Sequence, residues 1–334
     1  MNISVLGAGG WGTTLSVLLN RNGHNVTLWE FNQEYANTLN EYRENFYFLP
    51  KIIIPKSIKI TNDLEYAVNK KDIIVITTPT QYIRKSFQDL SNYNFGNSVI
   101  VSASKGIENN SLMLVSEILR DIFKKVKSKK ISCLSGPSHA EEVSRKIPTA
   151  VVCASFDSSV TRYIQNTFSN KYFRVYRSSD LTGTELGGAL KNVIAIATGI
   201  SEGAGFGDNS KAALMTRGIT EIVRLGLKYN ARIETFFGLS GIGDLIVTCS
   251  SVYSRNRYVG NQIGEGKKLK NILKEMKMVA EGVATTQSAY ELSKLYKIEM
   301  PITEKVYSIL FKGEKPHKAT RDLMLRKLKV EYNF

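Results

Sequence analysis

The sequence predicts a doubly wound α/β domain followed by an all-helical domain. Short apolar, β-branched runs alternate with amphipathic segments in the first half of the chain, and after about residue 180 only helical patterns remain. Strands buried on both faces that alternate with helices indicate a parallel sheet covered by helices on each side. We therefore expect one domain at 1–180 and a second, helical domain at 181–334.

Seven runs in the first domain have strand character, because they are β-branched or apolar and are bounded by turn residues. They are NISVL (2–6), NVTLWE (25–30), DIIVITT (72–78), SVIVSAS (98–104), ISCLS (131–135), TAVVCAS (149–155) and YFRVY (172–176). The amphipathic segments between them include 11–22, 33–42, 63–69 and 112–124. Asn32 is placed to cap one of these helices, and Asn62 with Glu65 has the capping-box spacing for another.

The second domain is predicted to consist of helices separated by glycine-rich breaks. The helices are expected at 181–204, 209–230, 255–264, 285–296, 301–311 and 317–328, and the breaks at GAGFGD (203–208) and GLSGIGD (238–244). The first of these helices is apolar on all sides between 186 and 200 apart from Lys191, Asn192 and Thr198. Such a helix is normally buried, and a lysine is almost never buried without a partner. Lys191 therefore either reaches the surface or faces a cleft, where it has a function.

The composition is that of an ordinary globular protein of the cytoplasm. No apolar run approaches the length of a membrane span, and the N-terminal MNISVLGAGG lacks the basic region of a signal peptide. Cys133, Cys153 and Cys249 lie far apart, which argues against a disulfide framework and against a zinc site. We expect no metal and no membrane insertion.

The net charge of +15 favours an anionic partner. The densest basic stretches, KKVKSKK (124–130) and the lysines of 267–277, contain no interleaved aromatic residues of the kind that stack on single-stranded nucleic acid. We interpret both as solvated surface and expect no nucleic-acid partner. The charge favours encounter with a phosphorylated metabolite.

The motif GAGGWG (7–12) is a GxGxxG directly after the first predicted strand. Gly7 and Gly9 permit a tight turn and close approach to a pyrophosphate, while Gly12 lets the following helix pack on the strand. Glu30, at the end of the second strand, is placed to accept a hydrogen bond from the ribose of NAD and to disfavour the extra phosphate of NADP. A solvated strand end is the alternative interpretation of Glu30. The motif predicts a Rossmann-type dinucleotide site.

Further polar groups follow predicted strands or begin helices. Lys105 lies in SASKG (102–106) after a strand, and SGPSHAEE (135–142) opens a helix whose N–H groups could hold an anion. Asp244 lies among the glycines of GLSGIGDLIVTC (238–249). In SRNR (254–257), Arg255 offers a bidentate fork for a phosphate and Asn256 can orient a hydroxyl group. Each is unremarkable alone, and the combination indicates an enzyme.

Together these motifs resemble those of NAD(P)-dependent glycerol-3-phosphate dehydrogenase of the bacterial soluble type. GAGGWGT, ASKG, SGPSHAEE, GGALKNVIAIATGI, GLSGIGDLIVTC, SRNR, AEG (280–282) and MPITEKVY (300–307) occur in this order over nearly all of the chain. The resemblance implies reversible hydride transfer between NAD(P)H and dihydroxyacetone phosphate, giving sn-glycerol 3-phosphate for phospholipid synthesis. It also implies a homodimer.

The resemblance assigns roles residue by residue. Lys191 is implied as the general acid that protonates the developing C2 alkoxide, which a lysine can do if burial and nearby cations lower its pKa from ~10.4 towards ~7–8. Lys105 is implied as such a cation, and Asp244 as the group that orients Lys191. The implied substrate contacts are Lys105, Gly136, Ser138, Lys191, Asn192, Asp244, Thr248, Ser254, Arg255 and Asn256. The implied cofactor contacts are Gly7, Gly9, Gly10, Trp11, Gly12, Glu30, Phe31, Lys105, Ala140, Arg255, Val279 and Glu281.

Two departures from the family pattern concern the cofactor. Gly10 stands where many members have serine, and Glu30 with Phe31 stands where members that use NADPH often have a basic or neutral residue. We therefore expect NAD(H) or NADP(H) with a tilt towards NAD(H).

Three alternatives remain open at this point. A 3-hydroxyacid or 6-phosphogluconate dehydrogenase shares the architecture but usually has an asparagine one helical turn after the lysine, where this chain has Ile194 and Ala195. A non-catalytic dinucleotide sensor needs neither a buried lysine nor an arginine fork. A nucleic-acid binder would be retained on DNA in a strongly salt-dependent way.

Overall fold

The computed structural model describes residues 1–331, which form two compact units. The first, the sheet unit, comprises Met1–Lys105 and Val115–Leu181, and the second, the helical unit, comprises Gly106–Leu114 and the chain from Thr182 onward. The segment 106–114, predicted within the first domain, thus belongs to the helical unit. Ile107 and Leu114 are buried in the helical core, and Ser288 Oγ donates a hydrogen bond of 3.2 Å to the Ile107 carbonyl.

The sheet unit contains ten strands. They are β1 (Asn2–Leu6), β2 (Asn25–Trp29), β3 (Glu44–Asn45), β4 (Leu49–Ile53), β5 (Lys59–Thr61), β6 (Ile73–Ile76), β7 (Val99–Ser102), β8 (Ile131–Ser135), β9 (Thr149–Ala154) and β10 (Phe173–Ser178). Eight of them form one sheet in the order β10-β9-β8-β7-β6-β1-β2-β5, and β3 pairs with β4 as a separate antiparallel hairpin. All seven predicted strands are present in the large sheet.

The sheet is parallel except for one pair. β8 and β9 run antiparallel, with Leu134 opposite Cys153, which corrects the expectation of a fully parallel sheet. The connection between them, residues 136–148, contains only a five-residue helix, which at ~1.5 Å per residue is about half as long as the five-residue strand before it and does not return the chain along that strand. The neighbouring strands β2, β1, β6, β7 and β8 are all parallel, so their carboxyl ends lie at one edge of the sheet.

Seven helices belong to the sheet unit. They are α1 (Gly10–Arg21), α2 (Gln33–Tyr42), α3 (Leu64–Val68), α4 (Thr80–Phe87), α5 (Val115–Ile122), α6 (Ala140–Ser144) and α7 (Ser158–Phe168). Asn32 caps α2 as predicted, by accepting a hydrogen bond from the Tyr35 N–H. The expected cap at Asn62 is wrong by one residue, because the Asp63 carboxylate accepts from the Tyr66 N–H.

The strand order reverses between β1 and β6, which lie side by side at the centre of the sheet. From β1 the chain proceeds outward to β2 in one direction, and β6 begins the series that proceeds in the other. In open α/β sheets a ligand binds in the crevice beyond the carboxyl ends of the strands at such a reversal. The loop after β1 is the glycine-rich motif.

Up to residue 331, nine α-helices complete the helical unit. They are α8 (Leu181–Gly203), α9 (Asp208–Lys228), α10 (Ile233–Phe236), α11 (Asp244–Ser250), α12 (Arg255–Gly264), α13 (Leu269–Glu275), α14 (Glu281–Leu295), α15 (Pro301–Lys312) and α16 (Pro316–Met324). Helix α14 begins four residues before the predicted start. Its Gly282 lies in the first turn, where N–H groups have no partner within the helix, and the Gly282 N–H donates instead to Asn256 Oδ1 at 2.9 Å.

The predicted glycine-rich break at 238–244 is instead a π-helical turn, Leu239–Gly243, that leads directly into α11. Its glycine serves packing rather than interruption. A Cβ on Gly241 would lie 2.0 Å from the Phe236 carbonyl oxygen, and a Cβ on Gly187 of α8 would lie 2.7 Å from the Ser240 carbonyl oxygen. Residues without side chains thus let the turn approach α8 closely.

Helices α8 and α12 contact each other backbone to backbone. A Cβ on Gly199 would lie 2.1 Å from the Arg257 carbonyl oxygen, and one on Gly203 would lie 2.0 Å from that of Asn261. On the facing helix, a Cβ on Gly260 would lie 2.1 Å from the Ile196 carbonyl oxygen. We call this contact the glycine seam, and it fixes where α12 begins relative to α8.

The stretch Ile233–Ser250 is long and apolar enough to cross a membrane by length and mean hydropathy. It comprises α10, the π-helical turn and α11. Phe236 and Cys249 within it are fully buried in the helical core, and Asp244 is buried in a pair with Lys191. The stretch thus contributes buried side chains to the core of the helical unit, while others, such as Ile246, are exposed.

Candidate active site

The glycine-rich loop has the geometry of an anion cradle. Gly7 has φ +117°, a conformation that favours glycine, and a Cβ on Gly12 would lie 1.8 Å from the Gly7 carbonyl oxygen. No atom lies within 4 Å of the position that a Cβ on Gly9 would occupy. The loop thus combines tight packing of α1 on β1 with open space in front of the helix N-terminus, where N–H groups attract an anion. These features fit the pyrophosphate of a dinucleotide.

Gly10, the first residue of α1, lies under the β3–β4 hairpin. A Cβ at this position would be 2.5 Å from the Phe48 carbonyl oxygen and 3.7 Å from Cβ of Ala140. The glycine at this position, where the family that the motifs resemble often has serine, therefore has a steric counterpart, because the hairpin backbone takes the space of a side chain. The contact also brings the predicted cofactor residues Gly10 and Ala140 together, and Thr14 Oγ1 donates to the Ala140 carbonyl at 3.2 Å.

Glu30 and Phe31 follow β2 at the edge where the glycine-rich loop lies. The Glu30 side chain is buried, and its Oε1 accepts a hydrogen bond of 3.1 Å from the Asn32 N–H. Burial raises the pKa of Glu30, and backbone N–H groups that include that of Ala8 oppose the shift. Phe31 is 75% exposed. The interpretation of Glu30 as a solvated strand end is therefore wrong.

Lys105, Gly136 and Ser138 lie together beyond β7 and β8. Lys105 Nζ donates a hydrogen bond of 3.0 Å to the Gly136 carbonyl, and Ser138 Oγ donates to the same carbonyl at 2.9 Å. Gly136 has φ +131°, and a Cβ there would be 3.0 Å from Cα of Val151. A glycine is required at this turn, which holds a cation and a hydroxyl group at one point of the sheet edge.

Lys191 is buried in the helical unit and pairs with a carboxylate. Its side chain is 8% exposed, and Nζ lies 2.7 Å from Asp244 Oδ1 and 2.6 Å from Thr248 Oγ1. Thr248 Oγ1 in turn donates to the Asp244 carbonyl at 2.6 Å. Asp244 and Thr248 lie one turn apart on α11, so a single helix presents both oxygens to the ammonium. The Asp244 carboxylate compensates the charge of the buried ammonium group, which explains how an otherwise apolar helix can carry a lysine.

A second polar chain runs from α8 through α12 to α14. Asn256 Nδ2 donates to Asn192 Oδ1 at 2.9 Å, and Asn256 Oδ1 accepts from the Gly282 N–H. Asn192 and Asn256 are both buried. Ser254, the N-cap of α12, accepts from the Arg257 N–H at 3.2 Å. Three helices are thus tied at the residue that follows Lys191.

The two arginines of SRNR differ in environment. Arg257 forms a bidentate pair with Glu202, with Nε to Oε2 at 2.9 Å and a second nitrogen to Oε1 at 2.5 Å. Arg255 is exposed at the first position of α12. Arg257 therefore joins α12 to α8, and Arg255 stands beside the N-terminus of a ten-residue helix, where an anion is favoured.

Of the remaining predicted residues, Trp11 packs against the core of the sheet unit, Val279 is 38% exposed, and Glu281 begins α14. Asn45 and Gly282 were not among the predicted site residues, although Asn45 bonds the glycine-rich loop at Ala8 and Gly282 bonds Asn256. Gly282 lies in the quoted AEG, but Asn45 belongs to no motif. Within residues 1–331, no group of three or more His, Cys, Asp or Glu side chains could hold a metal ion.

Comparison with known families accounts for both units. The family model described as NAD-dependent glycerol-3-phosphate dehydrogenase N-terminus matches residues 2–161, and that described as the C-terminus matches residues 180–321. Glycerol-3-phosphate dehydrogenase [NAD(P)+] of Syntrophotalea carbinolica is 48% identical over 331 residues, which is 99% of each chain. The enzyme of the same name from Thermoanaerobacter sp. is 49% identical over 331 residues, also 99% of each chain.

Solved structures give the same result. The crystal structure of glycerol-3-phosphate dehydrogenase from Coxiella burnetii superposes with a TM-score of 0.93 and 34% identity over 97% of this chain and 99% of that chain. D-mandelate dehydrogenase, with a TM-score of 0.62 and 14% identity over 98% of this chain and all of that one, shares the fold alone. The alternative of a different dehydrogenase on the same architecture is not favoured.

Proposed function

The chain belongs to the NAD-dependent glycerol-3-phosphate dehydrogenase family, and from this we propose how its residues reduce dihydroxyacetone phosphate reversibly to sn-glycerol 3-phosphate. The observation that carries the proposal is the buried pair of Lys191 with Asp244, which places a proton donor on an apolar helix. The cofactor, NAD(H) or NADP(H), supplies the hydride that C2 of the substrate receives.

The sheet unit binds and orients the dinucleotide in this proposal. Gly7, Gly9 and Gly12 shape the loop that receives the pyrophosphate against the N-terminus of α1. The open space at Gly9 supports this role, since any side chain there would occupy the approach to the backbone. Ala140 and Trp11 border the same loop.

Lys191 provides the proton. As C2 is reduced, its carbonyl oxygen becomes an alkoxide, and Nζ of Lys191 transfers a proton to it; in the reverse direction the neutral amine takes that proton back. Asp244 and Thr248 hold Nζ in position, so the proton is delivered from a fixed point. A carboxylate beside a neutral amine is less well compensated than beside an ammonium, which favours reprotonation of Lys191 after each turnover.

The substrate phosphate is bound at the start of α12. Arg255 supplies the bidentate fork, and Ser254, Asn256 and the N-terminal N–H groups of the helix add hydrogen-bond donors. Asn192 fixes Asn256 and lies next to Lys191 in the chain, so one contact relates the phosphate end of the substrate to the proton donor. Lys105, Gly136 and Ser138, which form a cluster of their own on the sheet unit, are the further substrate contacts that the family resemblance implies.

Preference for NADH over NADPH is proposed from Glu30. A buried carboxylate at the end of β2 can accept from the ribose hydroxyl groups, whereas the 2′-phosphate of NADPH would place a second anion beside it. Because burial raises the pKa of Glu30, the discrimination is expected to increase with pH as the carboxylate becomes fully ionised.

The test is an initial-rate assay with dihydroxyacetone phosphate and NADH, which follows the loss of reduced-nicotinamide absorbance. Lys191→Ala should lower the rate by about 10²–10⁴-fold, the contribution of a positioned general acid, while NADH binding is retained. Lys228→Ala, an exposed lysine at the end of α9, is the matched control and should leave the rate unchanged.

An NADPH arm of the same assay tests Glu30. Glu30→Gln should reduce the difference between the initial rates with NADH and with NADPH, without a comparable change in the KM for dihydroxyacetone phosphate. If the wild-type protein binds both cofactors but does not oxidise either with this substrate, the substrate assignment is wrong, and 3-hydroxyacids are tested next.

We further propose the biological setting that the family resemblance implies. The product would serve as the backbone for glycerophospholipid synthesis, and the enzyme would act in the cytoplasm as a homodimer. Light scattering on the purified protein tests the oligomeric state, and a mass of one chain at assay concentrations would refute the homodimer.

A further inference from the structure

Asn45 connects the β3–β4 hairpin to the glycine-rich loop through a side chain whose hydrogen-bond donors and acceptors are all engaged. Its Nδ2 donates to the Ala8 carbonyl at 2.8 Å and to Thr13 Oγ1 at 2.8 Å. Its Oδ1 accepts from the Tyr35 hydroxyl at 2.5 Å and from the Phe48 N–H at 3.1 Å. A carboxamide has two donors and two acceptor sites, so every one is engaged, and Asn45 is completely buried.

The orientation of this side chain is fixed by the chemistry of its partners. The Ala8 carbonyl can only accept and the Phe48 N–H can only donate, so nitrogen must face the loop and oxygen must face the hairpin. Burial raises the pKa of Tyr35 to about 12, so its hydroxyl keeps the proton that it donates to Oδ1. Neither a flipped amide nor an ionised Tyr35 would satisfy the same set of contacts.

The hydrogen bond from Asn45 to the Ala8 carbonyl also sets the direction of the Gly9 N–H, which belongs to the same peptide group. In a trans peptide the C=O and the following N–H point in opposite directions. When Asn45 holds the Ala8 oxygen, the Gly9 N–H is turned away from the hairpin. The open space beside Gly9 and the glycine that follows it would otherwise leave this peptide free to rotate.

The hairpin adds a steric contact at the next residue. The Phe48 carbonyl lies where a side chain at position 10 would begin, and the Phe48 ring packs edge-on against Tyr35 with centroids 5.7 Å apart. The hairpin therefore holds the loop at Ala8 by a hydrogen bond and borders it at Gly10 by contact. Both depend on Asn45, which bonds the backbone of Phe48 as well as that of Ala8.

We infer that Asn45 is a positioning residue for the dinucleotide, which sets the Ala8–Gly9 peptide so that the Gly9 N–H is preorganised to donate to the pyrophosphate. The inference rests on the proposed function only in that the ligand of the loop is NAD(H). A preorganised loop loses less conformational freedom on binding, so the effect of Asn45 is on cofactor affinity. Asn45 is not proposed to touch the reacting atoms.

The experiment is a fluorescence titration of NADH into the full-length protein without substrate. Asn45→Leu keeps the shape and removes all four hydrogen bonds, and it should raise the Kd for NADH about tenfold, as expected for loss of one or two bonds that hold a binding loop. Tyr35→Phe removes only the bond from the tyrosine hydroxyl, folds without a change of shape, and should raise the Kd by a smaller factor of about three.

The matched control is Asn22→Leu at the opposite end of α1. Asn22 also lies in the sheet unit, and its Nδ2 donates to the Thr167 and Phe168 carbonyls, far along the helix from the loop. Hydrogen exchange of the unliganded protein provides a second readout. The amides of residues 9–12 should exchange faster in Asn45→Leu and remain unchanged in Asn22→Leu.

The outcomes separate this inference from the proposed function. A Kd within twofold of wild type for a folded Asn45→Leu overturns the inference, as does an equal rise in Asn22→Leu, which would indicate general destabilisation. If Asn45→Leu does not fold, Tyr35→Phe decides, and an unchanged Kd overturns the inference. Absence of turnover with dihydroxyacetone phosphate would refute the substrate and leave the NADH titration valid, because the titration contains no substrate.

Discussion

Asn256 Nδ2 donates a hydrogen bond of 2.9 Å to Asn192 Oδ1, across two helices and 64 positions of sequence. The same offset relates Ile196 to Gly260 one turn later, so α8 and α12 run parallel with a constant register along the glycine seam. Lys191 lies at the beginning of this register and Arg255 at the start of the facing helix. The separation of Lys191 from Arg255, the proposed proton donor and the proposed phosphate-binding residue, is therefore set by the absence of side chains along the seam.

Gly260→Ala should destabilise the protein although alanine is the better helix former. The new Cβ would lie 2.1 Å from the Ile196 carbonyl oxygen, which forces α8 and α12 apart, and overpacking of this kind costs about 1–3 kcal/mol. Denaturant unfolding measures the loss. Gly207→Ala, where no atom lies within 4 Å of the new Cβ, is the control. Because Gly207 is the N-cap of α9 and alanine is a poorer cap, it should lower the free energy of unfolding by no more than about 1 kcal/mol. Equal effects would contradict a role for the seam.

Arg255→Lys should impair binding of the substrate phosphate without unfolding the protein. A lysine keeps the charge but loses the planar fork, and we expect the KM for dihydroxyacetone phosphate to rise about tenfold, equivalent to ~1.4 kcal/mol. The activity with dihydroxyacetone, which has no phosphate, should be nearly unchanged. In Arg257→Lys the pair with Glu202 is weakened instead, so its effect should fall on stability. A parallel loss with both substrates in Arg255→Lys would refute the phosphate contact.

Asp244→Asn should destabilise the helical unit because it leaves the buried Lys191 ammonium without its carboxylate. Breaking a buried ion pair from one side costs about 3–5 kcal/mol. The double variant Lys191→Met with Asp244→Asn should recover much of the stability but none of the activity, since the charge and the proton donor are removed together. Thermal unfolding and the reductase assay measure the two effects. Recovery of activity in the double variant would exclude Lys191 as the acid.

Glu221 should make stability depend on pH. It is fully buried on α9 and accepts hydrogen bonds from the N–H groups of Ile302 and Thr303 at the start of α15. Burial raises the pKa of Glu221 from 4.5 to about 7, against the opposing effect of these bonds and of Arg224. A carboxyl group with a raised folded-state pKa contributes stability that is complete below pH 4.5 and is lost as pH rises through about 7.

The expected loss is up to about 3 kcal/mol between these limits, from 1.36 kcal/mol per pKa unit. Glu221→Gln cannot ionise and lacks this component of the pH dependence. Unfolding free energies of the two proteins measured from pH 4 to pH 8 should therefore converge or cross as pH rises. A difference between wild type and variant that is constant with pH would show that the folded and unfolded states bind the same number of protons at position 221, so that folding does not raise the pKa of Glu221.

Seven of the eight strands of the sheet could be predicted because each is an apolar or β-branched run bounded by turn residues. The edge strand β5 was missed, because its three residues, KIT, are too few to show a pattern. β6 and β7 are buried at every position, which is the pattern of a central parallel strand. The antiparallel pairing of β8 with β9 could not be predicted, since strand sequence carries the burial of its faces but not the direction of its neighbour. The thirteen residues between them, 136–148, are long enough for either kind of connection, so the length of the connection does not decide the pairing.

The residues of the site were predicted through motifs, and those outside motifs were not. Lys191 and Asp244 are 53 positions apart and in contact. The sequence singles out both because each lies in a motif that resembles those of a known family. Asn45 has no such signal. The second strand of its hairpin, LPKII, contains a lysine and a proline and is not a typical strand pattern. The role of the Asn45 side chain becomes apparent only from its hydrogen bond to the Ala8 carbonyl. A glycine can be read from sequence as a break, whereas Gly241 serves close packing in a continuous helical turn.

The segment 106–114 has a consequence for how this chain is made and how it can be divided. Synthesis begins at the N-terminus, so Ile107 and Leu114 leave the ribosome long before the helices that enclose them. These nine residues are therefore synthesised before the helices against which they are buried, and the two parts of the sheet unit precede and follow them in the sequence. A gene fragment that starts at residue 182 would encode a helical unit with a gap at its centre. Recombination or domain exchange in this family therefore requires two cuts in the first half of the gene as well as one at the apparent boundary.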